Sequence, residues 1–246
     1  MTFGSLFAGI GGIDLGLERA GMQCVWQVEI NEYCQRVLAK HWPSVRRWDD
    51  VRTFPPEPTD EWKCDLICGG FPCQPVSLAG QQQSQQDKRW LWPEFARVIR
   101  ILQPRLVLLE NVPGMLVHGF GDVLWDLAEG GYDAEWTCIP ASAVGAPHRR
   151  ERLFLLAYSS GQRCECSNEF FSRDATQNAI RQNNHLASWG KQTVRSPGGR
   201  VRLLPRFALR RVANGVPGTL DGIRALGNAV VPQVAELIGR MILRGV

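Results

Sequence analysis

Apolar positions along the first 158 residues come in two alternating textures. Short, mostly apolar runs at 3–7, 24–28, 66–68, 106–109 and 153–157 read as strands. Between them stand stripes of helical period. Ile13, Leu17 and Ala20 form one, stopped by Gly21; Phe95, Val98, Ile99 and Leu102 form a second, stopped by Pro104. A third, Val123, Leu124, Leu127 and Ala128, runs up to Gly130 and Gly131. Strand–helix alternation of this kind predicts an α/β fold on a doubly wound, mostly parallel sheet. The texture breaks near residue 159. From there to about 199 the chain is rich in Ser, Asn, Gln, Gly and Arg with no sustained period, as in a small irregular lobe or a partly mobile insert. Order returns after Gly215. Pro232 stands where a helix begins, and Val234, Leu237, Ile238, Met241 and Ile242 make a stripe apolar enough to need a partner surface. The expected division is a sheet domain at 1–158, a short lobe at 159–211, and a segment at 212–246 that returns to the sheet domain.

Charge sharpens that division. Residues 1–158 carry 15 basic and 19 acidic side chains, whereas 159–211 carry 10 and 3, and 212–246 carry 3 and 2. The chain's net +4 therefore hides one basic stretch, which suits either a polyanion or a merely solvated loop. No apolar run reaches 18 residues, and the N-terminus has neither a basic head nor an apolar signal region, so a cytoplasmic location is expected. Eight cysteines and four histidines show no paired C-x-x-C spacing, so neither a structural metal nor a disulfide is expected.

Four segments carry candidate chemistry. The turn Phe7-Ala8-Gly9-Ile10-Gly11-Gly12 lies between a strand and a helix, and Glu29 closes the next strand. Glycines admit close approach of a ligand, and an acid about 20 residues on can accept from ribose hydroxyls. The glycines do not spell G-x-G-x-x-G, so a nucleoside without pyrophosphate fits better than a dinucleotide; close packing alone would also use them. Gly69-Gly70-Phe71-Pro72-Cys73-Gln74-Pro75-Val76-Ser77 puts Cys73 on a stiffened loop at a strand's carboxyl end, where a thiol can serve as a nucleophile. A buried, inert cysteine is the alternative. Glu110, in Glu110-Asn111-Val112-Pro113-Gly114, falls just past another strand, either as an acid in a sheltered cleft or as a surface cap. In His148-Arg149-Arg150-Glu151-Arg152, Arg150 and Arg152 alternate onto one face of an extended segment, suited to phosphate or base oxygens or to a salt-bridged edge.

Together these segments resemble the cytosine carbon-5 DNA methyltransferases. The cofactor loop at 7–12, Pro72-Cys73-Gln74, Glu110-Asn111-Val112, the Arg-x-Arg of Arg150 and Arg152, and Gly227-Asn228-Ala229-Val230-Val231-Pro232 stand in the family's order. The resemblance implies a Rossmann-like catalytic domain and S-adenosylmethionine as cofactor, with S-adenosylhomocysteine as product. Phe7, Gly9, Gly11, Glu29, Ile30, Asp50, Val51, Pro72, Leu91 and Asn228 would line the cofactor site. Glu29 would take the ribose hydroxyls, Asp50 the adenine amino group, and Asn228 the methionine end. Cys73 would attack carbon 6 of cytosine, Glu110 would bind the ring at N3 and the exocyclic amine, and Arg152 would hold O2. Arg150 would support the nucleophile's loop and the nearby backbone. Double-stranded DNA would be the partner of a monomer, with Gln74, Ser77, Arg200, Arg202, Arg206 and Arg210 as candidate contacts. Two features depart from the family pattern: His148 stands where Gln is usual, and the target-recognition region is short. Two rivals are an RNA cytosine methyltransferase, whose Cys-Phe-Thr signature is absent, and a non-catalytic DNA-binding subunit, which would not need Cys73, Glu110, Arg150 and Arg152.

Overall fold

A computed structural model describes residues 1–57, 59–72, 90–160, 171, 191–195, 201–205 and 229–245. Seven strands form one sheet: β1 (Thr2–Leu6), β2 (Gln23–Val28), β3 (Arg46–Trp48), β4 (Leu66–Gly69), β5 (Leu106–Asn111), β6 (Tyr132–Pro140) and β7 (Glu151–Ser159). Their order is β3-β2-β1-β4-β5-β7-β6. β7 runs antiparallel to both neighbours, and the pairs from β3 through β5 are all parallel. Among the described residues the α-helices are α1 (Gly12–Ala20), α2 (Glu32–His41), α3 (Trp92–Leu102), α4 (Phe120–Glu129) and α5 (Pro232–Gly245). In the basic stretch, β8 (Lys191–Arg195) and β9 (Val201–Pro205) pair as a separate antiparallel ribbon. Strand order reverses at β1, which has β2 on one side and β4 on the other. Open sheets of this type bind ligands in the crevice outside the carboxyl ends at that switch.

The sheet is buried on both faces, which explains why its strands read as runs rather than alternations. Leu66, Cys68, Leu106, Leu108, Phe154 and Leu156 belong to one core with α1 and α5. Ile67, Val107, Leu109, Leu153 and Leu155 belong to the other, with Phe95, Val98 and Leu102 of α3. α1 ends where expected, on Gly21 in the left-handed region at φ 108°. Its close neighbour is α5. Gly12, Gly16 and Ala20 recur every four residues on one face. A side chain at Gly12 would collide with the Val230 carbonyl, and one at Gly16 with Pro232 and Ala235, while Gly239 lies against Ala20. The stripe at the chain's end is thus seated on the first helix. Asp14, wholly buried in α1, accepts from Ser5 Oγ (3.1 Å) and Gln27 Nε2 (2.8 Å). Ser5 and Gln27 are register partners on β1 and β2, so one carboxyl ties the helix to both strands. Burial pushes it up to about 6.

Boundaries differ from the sequence reading in ways that matter for the site. β1 stops at Leu6, leaving Phe7 in the turn. β5 runs on through Glu110 and Asn111, paired with Phe154 and Leu153, so Glu110 lies within the strand rather than past it. β7 begins at Glu151, which brings Arg152 into the sheet as well. α2, β3 and β6 had no counterpart in the apolar pattern.

Candidate active site

The carboxyl ends of β1, β2 and β3 build one side of the crevice. Past β1 the chain turns sharply, with Phe7 (φ 53°), Gly9 (φ 57°) and Gly11 (φ 80°) all left-handed. For Phe7 that conformation is costly, about 1–3 kcal/mol in ordinary cases, and its ring is held by stacking on Phe95 at 6.2 Å. The two glycines differ in what they face. A side chain at Gly9 would meet open space, whereas one at Gly11 would lie 2.5 Å from the Trp42 ring. Glu29, one residue beyond β2, is clamped by two backbone donors. Its Oε2 accepts from Gly9 N at 2.7 Å and its Oε1 from Asn31 N at 2.8 Å. Each oxygen keeps a lone pair for a ligand. Ile30 beside it is 64% exposed, an unusual position for so apolar a side chain. Past β3, Asp50 caps the 3-10 turn Val51–Thr53, accepting from Arg52 N at 3.0 Å, with Arg52 Nη1 3.3 Å from its other oxygen. Val51 is buried beneath it. Pro72 is exposed after β4, and Leu91 precedes α3 half-buried.

On the other side stands Glu110. Only 8% exposed, it has Arg152 Nε 2.9 Å from Oε1, an ion pair across β5 and β7. That N–H is not aimed along the line, so Oε1 has no true hydrogen-bond donor among the described residues. Burial pushes the Glu110 carboxyl up to about 7, against the opposing pull of Arg152 and Arg150. The acid is therefore partly protonated near neutral pH and able to donate. Gly70 is where Glu110 fits: a Cβ there would lie 2.6 Å from Oε2. Asn111 Nδ2 donates to the Phe71 carbonyl at 3.2 Å, and its Oδ1 accepts from Val112 N at 2.8 Å. The strand that carries the acid thereby grips the chain two residues before Cys73. Sequence reading quoted Asn111 without a role, because its partner is 40 residues away.

Arg150 does not continue the extended alternation expected of it. It sits at φ 26° just before β7, and its Nη2 donates to the Ala229 carbonyl at 2.8 Å. The guanidinium thus braces the segment next to Asn228. Cys73, Gln74, Ser77, Asn228, Arg200, Arg206 and Arg210 lie outside the described residues, as does the side chain of Arg202 in β9.

Residues 1–196 match the model of the C-5 cytosine-specific DNA methylases. The chain belongs to that family. Within that family it is similar to the type II methyltransferase M.HgiCII of Herpetosiphon aurantiacus, 35% identical over 63% of this chain and 36% of that one. It is also similar to M.NgoMIV of Neisseria gonorrhoeae, 29% identical over 99% of this chain and 98% of the relative. That alignment spans 311 positions against a chain of 246 residues, so the relative holds segments without a counterpart here. The chain spans about a third to a half of the length of most of the curated relatives that it matches. Among solved structures, a prophage-encoded DNA modification methyltransferase of E. coli superposes with a TM-score of 0.56 at 31% identity, over 65% of this chain and 47% of that one. The S. pombe Dnmt2 methyltransferase shares the fold at 21% identity, with a TM-score of 0.57 over 66% of this chain and 52% of its own. The family implies use of S-adenosylmethionine. Among the described residues no helix is long and apolar enough to cross a membrane, and no His/Cys/Asp/Glu cluster could hold a metal.

Proposed function

We propose that this chain transfers a methyl group from S-adenosylmethionine to carbon 5 of a cytosine flipped out of duplex DNA. The observation that carries the reading is Glu110: a buried acid whose carboxyl burial pushes up, 2.9 Å from Arg152 and seated on Gly70 three residues before Cys73. The opposite rim suits a nucleoside. Glu29 offers fixed carboxylate lone pairs for vicinal hydroxyls, Ile30 offers an exposed apolar face, and Gly9, bonded to Glu29, leaves open space where a side chain would stand. When bound there, the cofactor supplies an electrophilic methyl on sulfur.

The chain's own residues then divide the work. Cys73 forms a bond to carbon 6 of the base, and the ring's electron density moves toward N3 and carbon 5. Glu110 donates to N3 as that charge develops, and Arg152 holds O2. Carbon 5 takes the methyl as its bond to the cofactor's sulfur breaks, which leaves S-adenosylhomocysteine; loss of the carbon-5 proton to water then restores the 5,6 double bond, expels Cys73 as thiolate, and lets N3 return its proton to Glu110. The base must leave the stack first, at roughly a few kcal/mol. Residues 1–158 and 212–246 would form the catalytic part, and 159–211 the DNA-reading part. There Arg200, Arg202, Arg206 and Arg210, with Gln74 and Ser77 beside the nucleophile, would contact DNA.

Expression in a methylation-free host followed by bisulfite sequencing tests the whole reading. Protected cytosines at one short sequence are expected; fully converted DNA would overturn it. On the cofactor side, Glu29→Ala is expected to weaken S-adenosylhomocysteine binding by about 1–3 kcal/mol, the range for hydrogen bonds to a charged group. Unchanged affinity by calorimetry would place the cofactor elsewhere.

A further inference from the structure

One arginine outside every motif holds the wall on which Asp50 and Val51 stand. Arg97 lies in α3, about one-third exposed, with Nη2 donating to the Val51 carbonyl at 2.6 Å and to the Phe54 carbonyl at 2.7 Å. These carbonyls sit at the two ends of the 3-10 turn that Asp50 caps. The Val51 oxygen also accepts from Phe54 N at 3.2 Å, which closes the turn, and the charged donor adds a second, stronger bond there and one to the Phe54 oxygen just beyond. Glu94 accepts from Arg97 Nε at 2.7 Å, one turn earlier on the same helix, and so fixes the guanidinium's direction. Phe54 anchors the far end of the turn, fully buried against Trp26 and Trp62.

The same helix reaches the rest of the crevice. Phe95 stacks on Phe7 in the β1 turn and meets Phe71 at 6.4 Å, edge to face, at the root of the segment leading to Cys73. Leu91 precedes its first turn. α3 therefore touches three separate chain segments that converge on the switch point, and Arg97 is its only link to the Asp50 segment with two charge-assisted bonds among the described residues.

We propose that Arg97 is a positioning residue for the cofactor's adenine side, holding the Val51–Phe54 backbone so that Asp50 and Val51 face the crevice. This rests on the cofactor reading above. Arg97 does not touch the ligand; it acts through the turn.

The test uses the full chain and two variants, R97M and R97K, each checked for folding by thermal melt. R97M keeps the aliphatic stem and loses both bonds. R97K keeps the charge but has no planar fork to span two carbonyls. Calorimetry with S-adenosylhomocysteine is expected to show about tenfold weaker binding for R97M, the scale of losing charge-assisted bonds, with an intermediate loss for R97K. In the ligand-free protein, amides at 52–54 are expected to exchange faster in R97M while those of β4 and β5 do not change. In turnover, KM for S-adenosylmethionine should rise while kcat stays within about twofold, since the base side is untouched. If the unaltered chain fails to bind S-adenosylhomocysteine, the cofactor reading falls and this role with it. If the unaltered chain binds and folded R97M, or R97K where R97M does not fold, binds equally well, only this role is overturned. A fall in kcat equal to the rise in KM would overturn it too, because it would mark general damage.

Discussion

Replacing Glu110 by Gln is expected to lower methyl transfer by about 10²–10⁴-fold, the usual worth of a positioned acid, while leaving the fold intact. Glutamine keeps the shape that fits over Gly70 and can still donate to N3 from its amide. It cannot give up a proton as charge develops on the ring. The pH dependence separates this from a packing defect. Burial raises the Glu110 carboxyl from its ordinary 4.5 to about 7, so the folded chain holds this proton where the unfolded chain has released it. Stability from this group is therefore fully present below about 4.5 and is lost as pH rises through about 7. Asp14 has the same sign in a lower window, from its ordinary 3.8 to about 6. Thermal melts of the Gln variant should lose their slope between about 6 and 7 and keep below that only the part that Asp14 supplies. In the parent, kcat/KM should decline above about pH 7 as the acid deprotonates; an unchanged decline in the variant would remove Glu110 from that role.

How much of this could be read from the sequence depended on the range of the interaction. The central strands were legible because burial on both faces writes them as apolar runs, and α1 because its stripe ends on a left-handed glycine. α2 was not, since it buries only Cys34 and Leu38 of its ten residues and leaves no stripe to see. β3 has three residues and β6 has a mixed pattern of exposure at the sheet edge. At the site, the positions of Glu29 and Glu110 near strand ends followed from the strand pattern. The end of β5 was misplaced because a carboxylate and an amide look like a loop, although both are buried and paired with β7. The alternation of Arg150 and Arg152 suggested one extended face; the left-handed Arg150 breaks it and turns one guanidinium toward Ala229. Contacts such as Asn111 to Phe71, Arg97 to Val51 and Arg150 to Ala229 join residues 40, 46 and 79 apart. No local pattern encodes them, because each exists only once the sheet and its helices have assembled.

Cys73→Ser is expected to abolish methyl transfer and leave cofactor binding unchanged, the largest effect of any single substitution here. A free thiol ionises near pKa 8.5, within reach of modest local stabilisation, whereas a serine hydroxyl at neutral pH needs a strong base to become a nucleophile. The reaction also asks for a group that leaves again: once carbon 5 has lost its proton, the bond to carbon 6 must break, which sulfur permits more readily than an alkoxide. The structure supports the separation of the two effects. The chain leading to position 73 is held beside β5, by the Asn111 bond to the Phe71 carbonyl and by the seating of Glu110 on Gly70. The clamps on Glu29 and on the Val51 turn are made by Gly9, Asn31 and Arg97. None of those is altered by exchanging sulfur for oxygen at 73. Calorimetry with S-adenosylhomocysteine should therefore match the parent, while tritium transfer to DNA falls below detection. A duplex carrying 5-fluorocytosine at the target adds a direct readout. Fluorine cannot leave as a proton does, so the parent should become covalently joined to the DNA, visible as a mass increase, and the Ser variant should not. Transfer at the parent's rate, or an adduct in the variant, would mean that the nucleophile lies elsewhere in the chain.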